Sequence, residues 1–164
     1  MKKVFDFFNK TEELTASSLL IITSLLVFIQ VLLRYMFNYS IAWSEEAARY
    51  MIAWFIFLGS SMAVKDNAHV NMDALSNLIK GKVNQAISIV IDLINIAFCI
   101  VIIMAGLKMV QSAMDLGTTA TSISLPLYIP YASVPVGVFF MLIRYIFSIA
   151  NKTIELVNGK EVRE

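Results

Sequence analysis

The sequence is poor in the residues that build cross-linked or reactive sites. It has one cysteine, Cys99, which excludes an internal disulfide, and one histidine, His69, which excludes a pair of histidine ligands for a haem. Charged residues make up only 15% of the 164, against about a quarter in soluble domains. No stretch is long and polar enough to build a soluble domain. The formal net charge of +1 gives no basis for binding nucleic acid. No nucleotide loop, zinc motif or nucleophile elbow is present. Prolines are confined to Pro126, Pro130 and Pro135. What the chain does have is apolar surface: 59% of its residues are hydrophobic and mean hydropathy is +0.74. That composition describes an integral membrane protein.

Between Glu13 and Arg34 lie twenty uncharged residues, Leu14–Leu33. At 1.5 Å per residue they cover roughly 30 Å, the thickness of the hydrocarbon core. The first spanning helix is expected at about 14–36. No A-x-A-like cleavage site follows it, so it reads as a retained helix. Ahead of it, Val4, Phe5 and Phe8 alternate with Lys2, Lys3, Asp6 and Lys10. Two readings stand there: a short amphipathic surface helix or a frayed terminus.

The second apolar run is too short. Tyr50–Val64 is fifteen uncharged residues, about 22 Å, which does not cross a bilayer. The helix must begin earlier, at about 44–64, with Ser44 as its N-cap. Glu45 and Glu46 then fall in the first turn, where the helix dipole favours negative charge. Glu45 and Arg49 are four apart and positioned to pair. Trp43 and Tyr50 suit the aromatic belt at the interface. Within the same run, Gly59 and Ala63 form a small-xxx-small pair that admits close approach of another helix; the alternative is loose packing with no partner.

Lys65–Lys82 is a polar connection, and an interfacial helix is expected at about 71–80, capped by Asn71 and ended by Gly81. His69 within it has no second ligand at metal spacing and reads as solvated. A third spanning helix follows at about 84–108; the twenty-five residues between Lys82 and Lys108 carry a single charge, Asp92. Ser88, Asp92, Asn95 and Cys99 step by four, three and four, which places them on one stripe. A carboxylate at that depth must face protein or water. It is either an ion site or a buried polar contact to another helix, and the absence of companion carboxylates favours the contact. After a Ser/Thr-rich loop, the prolines predict irregular or kinked backbone ahead of a fourth spanning helix at about 131–150. Arg144 in its last turns is expected to snorkel outward, and the tail from Asn151 is polar.

The fold class expected is therefore an all-α integral membrane protein, a single domain over 1–164, with four transmembrane helices and short interfacial helices. With the amino end cytoplasmic, ten Lys and Arg fall inside and only Arg34, Arg49 and Lys108 outside, which predicts that both termini are cytoplasmic. Four helices with no internal inverted repeat are few for a solute pathway.

The motif series is Trp43-Ser44-Glu45-Glu46 with Arg49-Tyr50, Phe57-Leu58-Gly59 with Ala63 and Lys65, His69 and Asp73, then Leu125-Pro126, Tyr131 and Pro135-Val136-Gly137. Together these resemble the small membrane subunit (DctQ-like, or Q subunit) of tripartite ATP-independent periplasmic (TRAP) transporters, over nearly the whole chain. The resemblance implies a non-catalytic small permease subunit of the bacterial inner membrane, with no cofactor. Its obligate partner would be a large membrane subunit holding the substrate and sodium sites. A periplasmic substrate-binding protein would deliver an organic anion of the C4-dicarboxylate or sialic acid type, and a sodium gradient would drive import. Trp43, Glu45, Glu46, Arg49, Tyr50, Gly59, Ala63, Asp92, Asn95 and Arg144 are the candidate interface or structural residues. The charges among them are more than four helices comfortably satisfy alone. Whether Glu45, Glu46 and Arg49 pair within the chain or with the large subunit is open at this level. Two competing classes remain: a self-assembling four-helix channel or exporter with Asp92 facing a pore, and a membrane anchor for a redox enzyme, which one His and one Cys disfavour.

Overall fold

Long stretches of this chain have nothing to stop a helix. Residues 2–37 contain neither Gly nor Pro, and residues 42–76 contain only Gly59. In the computed structural model, which describes residues 2–76 and 82–157, these become α1 (Lys2–Phe37) and α2 (Ala42–Ser76). They are followed by α3 (Lys82–Asp115), a single turn α4 (Tyr128–Tyr131), and α5 (Ser133–Val157). Four segments are long and apolar enough to cross a membrane: Asn9–Phe37, Ala42–Val64, Ile87–Asp115 and Tyr128–Ile154. The protein is a multi-pass, almost wholly helical membrane protein.

Several boundaries differ from the sequence-based expectation, each for a local reason. The amino-terminal segment is not a separate surface helix. From Lys2 it is continuous with α1, because no breaker lies between them. Likewise residues 71–76 continue α2 and do not open a helix at Asn71; residues 77–81 lie outside the described residues. Ser44 does not act as the N-cap. The helix starts at Ala42, and the Ser44 hydroxyl donates back to the Ile41 carbonyl at 2.7 Å. The fourth span is broken as the prolines require. Pro130 lies within the single turn of α4 and Pro135 in the first turn of α5, where a missing N–H is tolerated.

The turns are tight. Asn38 takes a left-handed conformation (φ 52°) after α1, and the Tyr39 N–H bonds back to the Leu33 carbonyl at 3.2 Å. α3 ends in a Schellman motif. Gly117 sits at φ 59°, its N–H bonds Met114 O at 3.1 Å, and the Thr118 N–H bonds Ala113 O at 3.2 Å. The chain then folds on itself, with Ala120 N–H to Leu125 O at 2.8 Å and Leu127 N–H to Thr118 O at 3.0 Å.

The helices pack in the order α1, α2, α5, α3. Among the described residues, α1 packs against α2 alone, and α5 packs between α2 and α3. The tightest crossing lies between α2 and α5. A Cβ built on Gly137 would stand 2.5 Å from Phe57 Cβ and 2.8 Å from the Phe57 carbonyl carbon and oxygen. Glycine is required there because backbone, which cannot swing away, occupies the space. In a bilayer the hydrophobic effect does not press helices together, so such close contact is a main source of cohesion. Phe28, Phe98 and Phe139 are more than half exposed, as lipid-facing side chains should be.

Gly137→Leu is expected to lower the thermal stability of the purified protein by about 1–3 kcal/mol, the usual cost of overpacking. A melting curve in detergent checks this; an unchanged midpoint would mean that the crossing is not tight.

Candidate functional site

Arg144, the residue expected to snorkel, does the opposite. It is 8% exposed, and its Nη2 donates to Asn9 Oδ1 at 3.0 Å and pairs with Glu12 Oε2. The pairing joins α5 to α1, two helices whose backbones do not otherwise meet. The physical reason is that a matching carboxylate on α1 lies within reach of the guanidinium, so pairing replaces exit to water. The pair is not fully satisfied: Glu12 Oε1 and Arg144 Nη1 are buried without a partner.

Asp92 is also paired. Lys152 Nζ donates to its Oδ2 at 2.6 Å and to Ser88 Oγ at 2.6 Å, and Ser148 Oγ donates to the same Asp92 oxygen at 2.9 Å. The side chains of Lys152 and Asp92 are 11% and 9% exposed. The polar stripe of α3 therefore lies on α5, with Cys99 buried and Asn95 half-buried and without a hydrogen bond. The Asp92 carboxylate is therefore engaged by polar groups of α5, as a buried contact between helices would be.

At the opposite end of the bundle the Trp43–Tyr50 segment divides its roles. Glu46 reaches the loop that joins α3 to α4. Its Oε1 accepts from the Thr121 N–H at 3.2 Å and the Tyr50 hydroxyl at 3.1 Å, and its Oε2 accepts from the Ser122 N–H at 2.8 Å. Glu46 thus holds the turn of the 116–127 loop against the start of α2. Glu45 accepts from Gln30 Nε2 at 3.1 Å, tying α2 to α1. The expected Glu45–Arg49 pair is not formed. The carboxylate is drawn to the buried Gln30 on the neighbouring helix, and Arg49 is left exposed beside an open groove between α1 and α2. Trp43 is half exposed, next to the similarly exposed Tyr39, as belt residues would be.

Among the described residues, Gly59 and Ala63 form no close helix crossing. A Cβ on Gly59 would meet only Phe55 of its own helix, at 3.9 Å, and Ala63 is exposed. The close helix contact that this pair predicts occurs instead at Gly137.

Sequence reasoning missed Lys152, Ser148 and Glu12. A signal existed for the first two: Arg144, Ser148 and Lys152 step by four along α5, the complement of Ser88 and Asp92 on α3. Ending the fourth helix at about 150 put Lys152 in the tail and hid the stripe. For His69 and Asp73 the structure describes the backbone alone, within α2.

Two ion pairs near the end that holds both termini brace a thin row of helices, which defines a small helical membrane protein. The family model for the DctQ component of tripartite ATP-independent periplasmic transporters matches residues 23–154, and the chain belongs to that family. It is 33% identical to a Haemophilus influenzae protein assigned as a TRAP transporter small permease, over 84% of this chain and 85% of that one. It is 25% identical to the C4-dicarboxylate TRAP transporter small permease protein DctQ of Vibrio cholerae, over 99% of this chain and 81% of the relative. It also matches, at 28% identity, the sialic acid TRAP transporter permease protein SiaT of Haemophilus influenzae, of which it covers only 24%.

Glu46→Ala is expected to release the loop while leaving the helices in place. Hydrogen exchange at the Thr121 and Ser122 amides should rise several-fold, since both would lose the carboxylate that accepts from them. Unchanged exchange there would show that Glu46 does not hold the loop.

Proposed function

We propose that this chain is the non-catalytic small permease subunit of a TRAP transporter in the bacterial inner membrane. In this reading it braces a large membrane subunit that carries the solute. A periplasmic binding protein delivers an organic anion of the C4-dicarboxylate or sialic acid class, and a sodium gradient drives import. Both termini are cytoplasmic and the Trp43–Arg49 segment faces the periplasm.

One observation carries the scaffold reading. The ionisable groups buried at membrane depth (Glu12, Asp92, Arg144 and Lys152) are tied to one another across helices of this same chain. Groups engaged with one another across helices tie those helices together, which supports a bracing role. The channel alternative needs Asp92 facing a pore, and its engagement by Lys152 and Ser148 speaks against that. Lys and Arg distribution supports the orientation. SiaT supports the partnership: the part that resembles this chain is a minor fraction of a longer permease polypeptide. The names of the C4-dicarboxylate and sialic acid relatives support the substrate class.

The face around Gly59 and Ala63 suits a helix of the large subunit, because among the described residues a Cβ on Gly59 would meet only Phe55 of its own helix. Gly59→Leu should leave the chain's own melting midpoint within about 1 °C of the unmodified protein, since only a 3.9 Å contact is near. The same variant should lower co-purification with the large membrane subunit in mild detergent several-fold. Full recovery of the complex would remove Gly59 from the interface. Purification of the unmodified chain alone, with no larger membrane partner, would overturn the scaffold reading itself.

A further inference from the structure

Among the described residues, two arginines at one end of the bundle form no ion pair. Arg34 lies three residues before the end of α1, and Arg49 seven residues after the start of α2. At 1.5 Å per residue these positions lie roughly 5 and 10 Å from the 38–41 turn, which is interfacial depth in a bilayer. Neither guanidinium forms an ion pair or a hydrogen bond. Both line the same open groove between α1 and α2, whose volume is about 480 Å³. The one carboxylate in its lining, Glu45, accepts from Gln30 at 3.1 Å, and two arginines against that one carboxylate give the groove a net positive charge. Deeper along the helices, the groove is lined by Val27, Val31 and Ile52, each about two-fifths exposed.

A groove that is cationic at the interface and aliphatic toward the hydrocarbon has the polarity of an anionic lipid. We infer that it binds an anionic glycerophospholipid of the adjoining leaflet. The phosphate sits between Arg34 and Arg49, and an acyl chain runs along Val27, Val31 and Ile52. Charge complementarity selects this occupant. A zwitterionic lipid brings its own cation to the arginines. A purely apolar helix would leave two desolvated guanidiniums unpaired, which is costly in hydrocarbon. The phosphate accepts several hydrogen bonds from the planar guanidinium forks. Basic pockets between transmembrane helices bind anionic headgroups on the same principle. This inference is independent of the transporter reading.

The test is native mass spectrometry of the full chain, both alone and in the complex with any membrane subunit that co-purifies. Dioleoyl phosphatidylglycerol, dioleoyl phosphatidylcholine and inorganic phosphate are the probes. The unmodified protein should hold one phosphatidylglycerol about tenfold more tightly than phosphatidylcholine, and millimolar phosphate should not displace it. R34Q/R49Q should lose the preference, R34K/R49K should retain most of it, and K108Q, a control cation on α3, should leave it unchanged. Each single Gln variant should lose about fivefold, which keeps the test open if the double variant does not fold. Three results would each overturn the inference: an intact preference in R34Q/R49Q, displacement by phosphate alone, or loss of the lipid from the unmodified chain once the partner subunit is bound, which would make that subunit the occupant.

Discussion

A charge taken into the membrane must find an opposite charge there. Among the described residues two pairs meet that requirement, Asp92 with Lys152 and Arg144 with Glu12. Asp92 and Lys152 bind α3 to α5. Arg144 reaches from α5 to α1, across helices whose backbones are not in contact. Lipid tails are as apolar as leucine and exert no pressure toward compactness. Cohesion has to come from such polar ties and from close backbone contact, as at Gly137 against Phe57. The pairs also carry a cost. Glu12 Oε1 and Arg144 Nη1 are buried without partners, so that bridge contributes orientation and register more than net stability.

The two ends of the bundle use different chemistry. The end that holds both termini uses ion pairs between side chains. The opposite end uses carboxylates on neutral donors: Glu46 on the backbone N–H groups of Thr121 and Ser122, and Glu45 on the amide of Gln30. The second arrangement leaves Arg34 and Arg49 available at the interface. It also fixes a loop of twelve residues, 116–127, to the start of α2. A subunit built in this way keeps its shape with little soluble mass, which suits a brace within a larger permease.

The four spanning helices were legible because hydrocarbon thickness sets a length that can be counted from one charge to the next. The need for α2 to begin before Arg49 came from the same arithmetic. The polar stripe Ser88, Asp92, Asn95 and Cys99 was also readable, because the helical period fixes which residues share a face. What faced that stripe was not read, since Lys152 lay beyond the assumed end of the last helix. The Glu12 partner of Arg144 was hidden for a different reason. Contact between α1 and α5 depends on the order of helices in the row, and hydropathy carries no information about order. The Glu45–Arg49 pair failed because spacing along one helix says nothing about a competing donor, here Gln30, on another. Gly59 looked like the crossing point and Gly137 is; both are glycines in apolar runs, and only the packing distinguishes them.

The central claim is that buried charges brace this chain from within. A double-mutant cycle on Asp92 and Lys152, read as unfolding free energy in lipid or mild detergent, tests it most directly. If the claim holds, Asp92→Asn and Lys152→Met each destabilise the protein by about 3–5 kcal/mol, because each leaves the other group buried without its counter-charge. The double variant then recovers most of that loss, giving a coupling of about 2 kcal/mol or more. Strictly additive effects, or single variants as stable as the unmodified chain, would contradict it and return Asp92 to the position of an unpaired carboxylate with some other task.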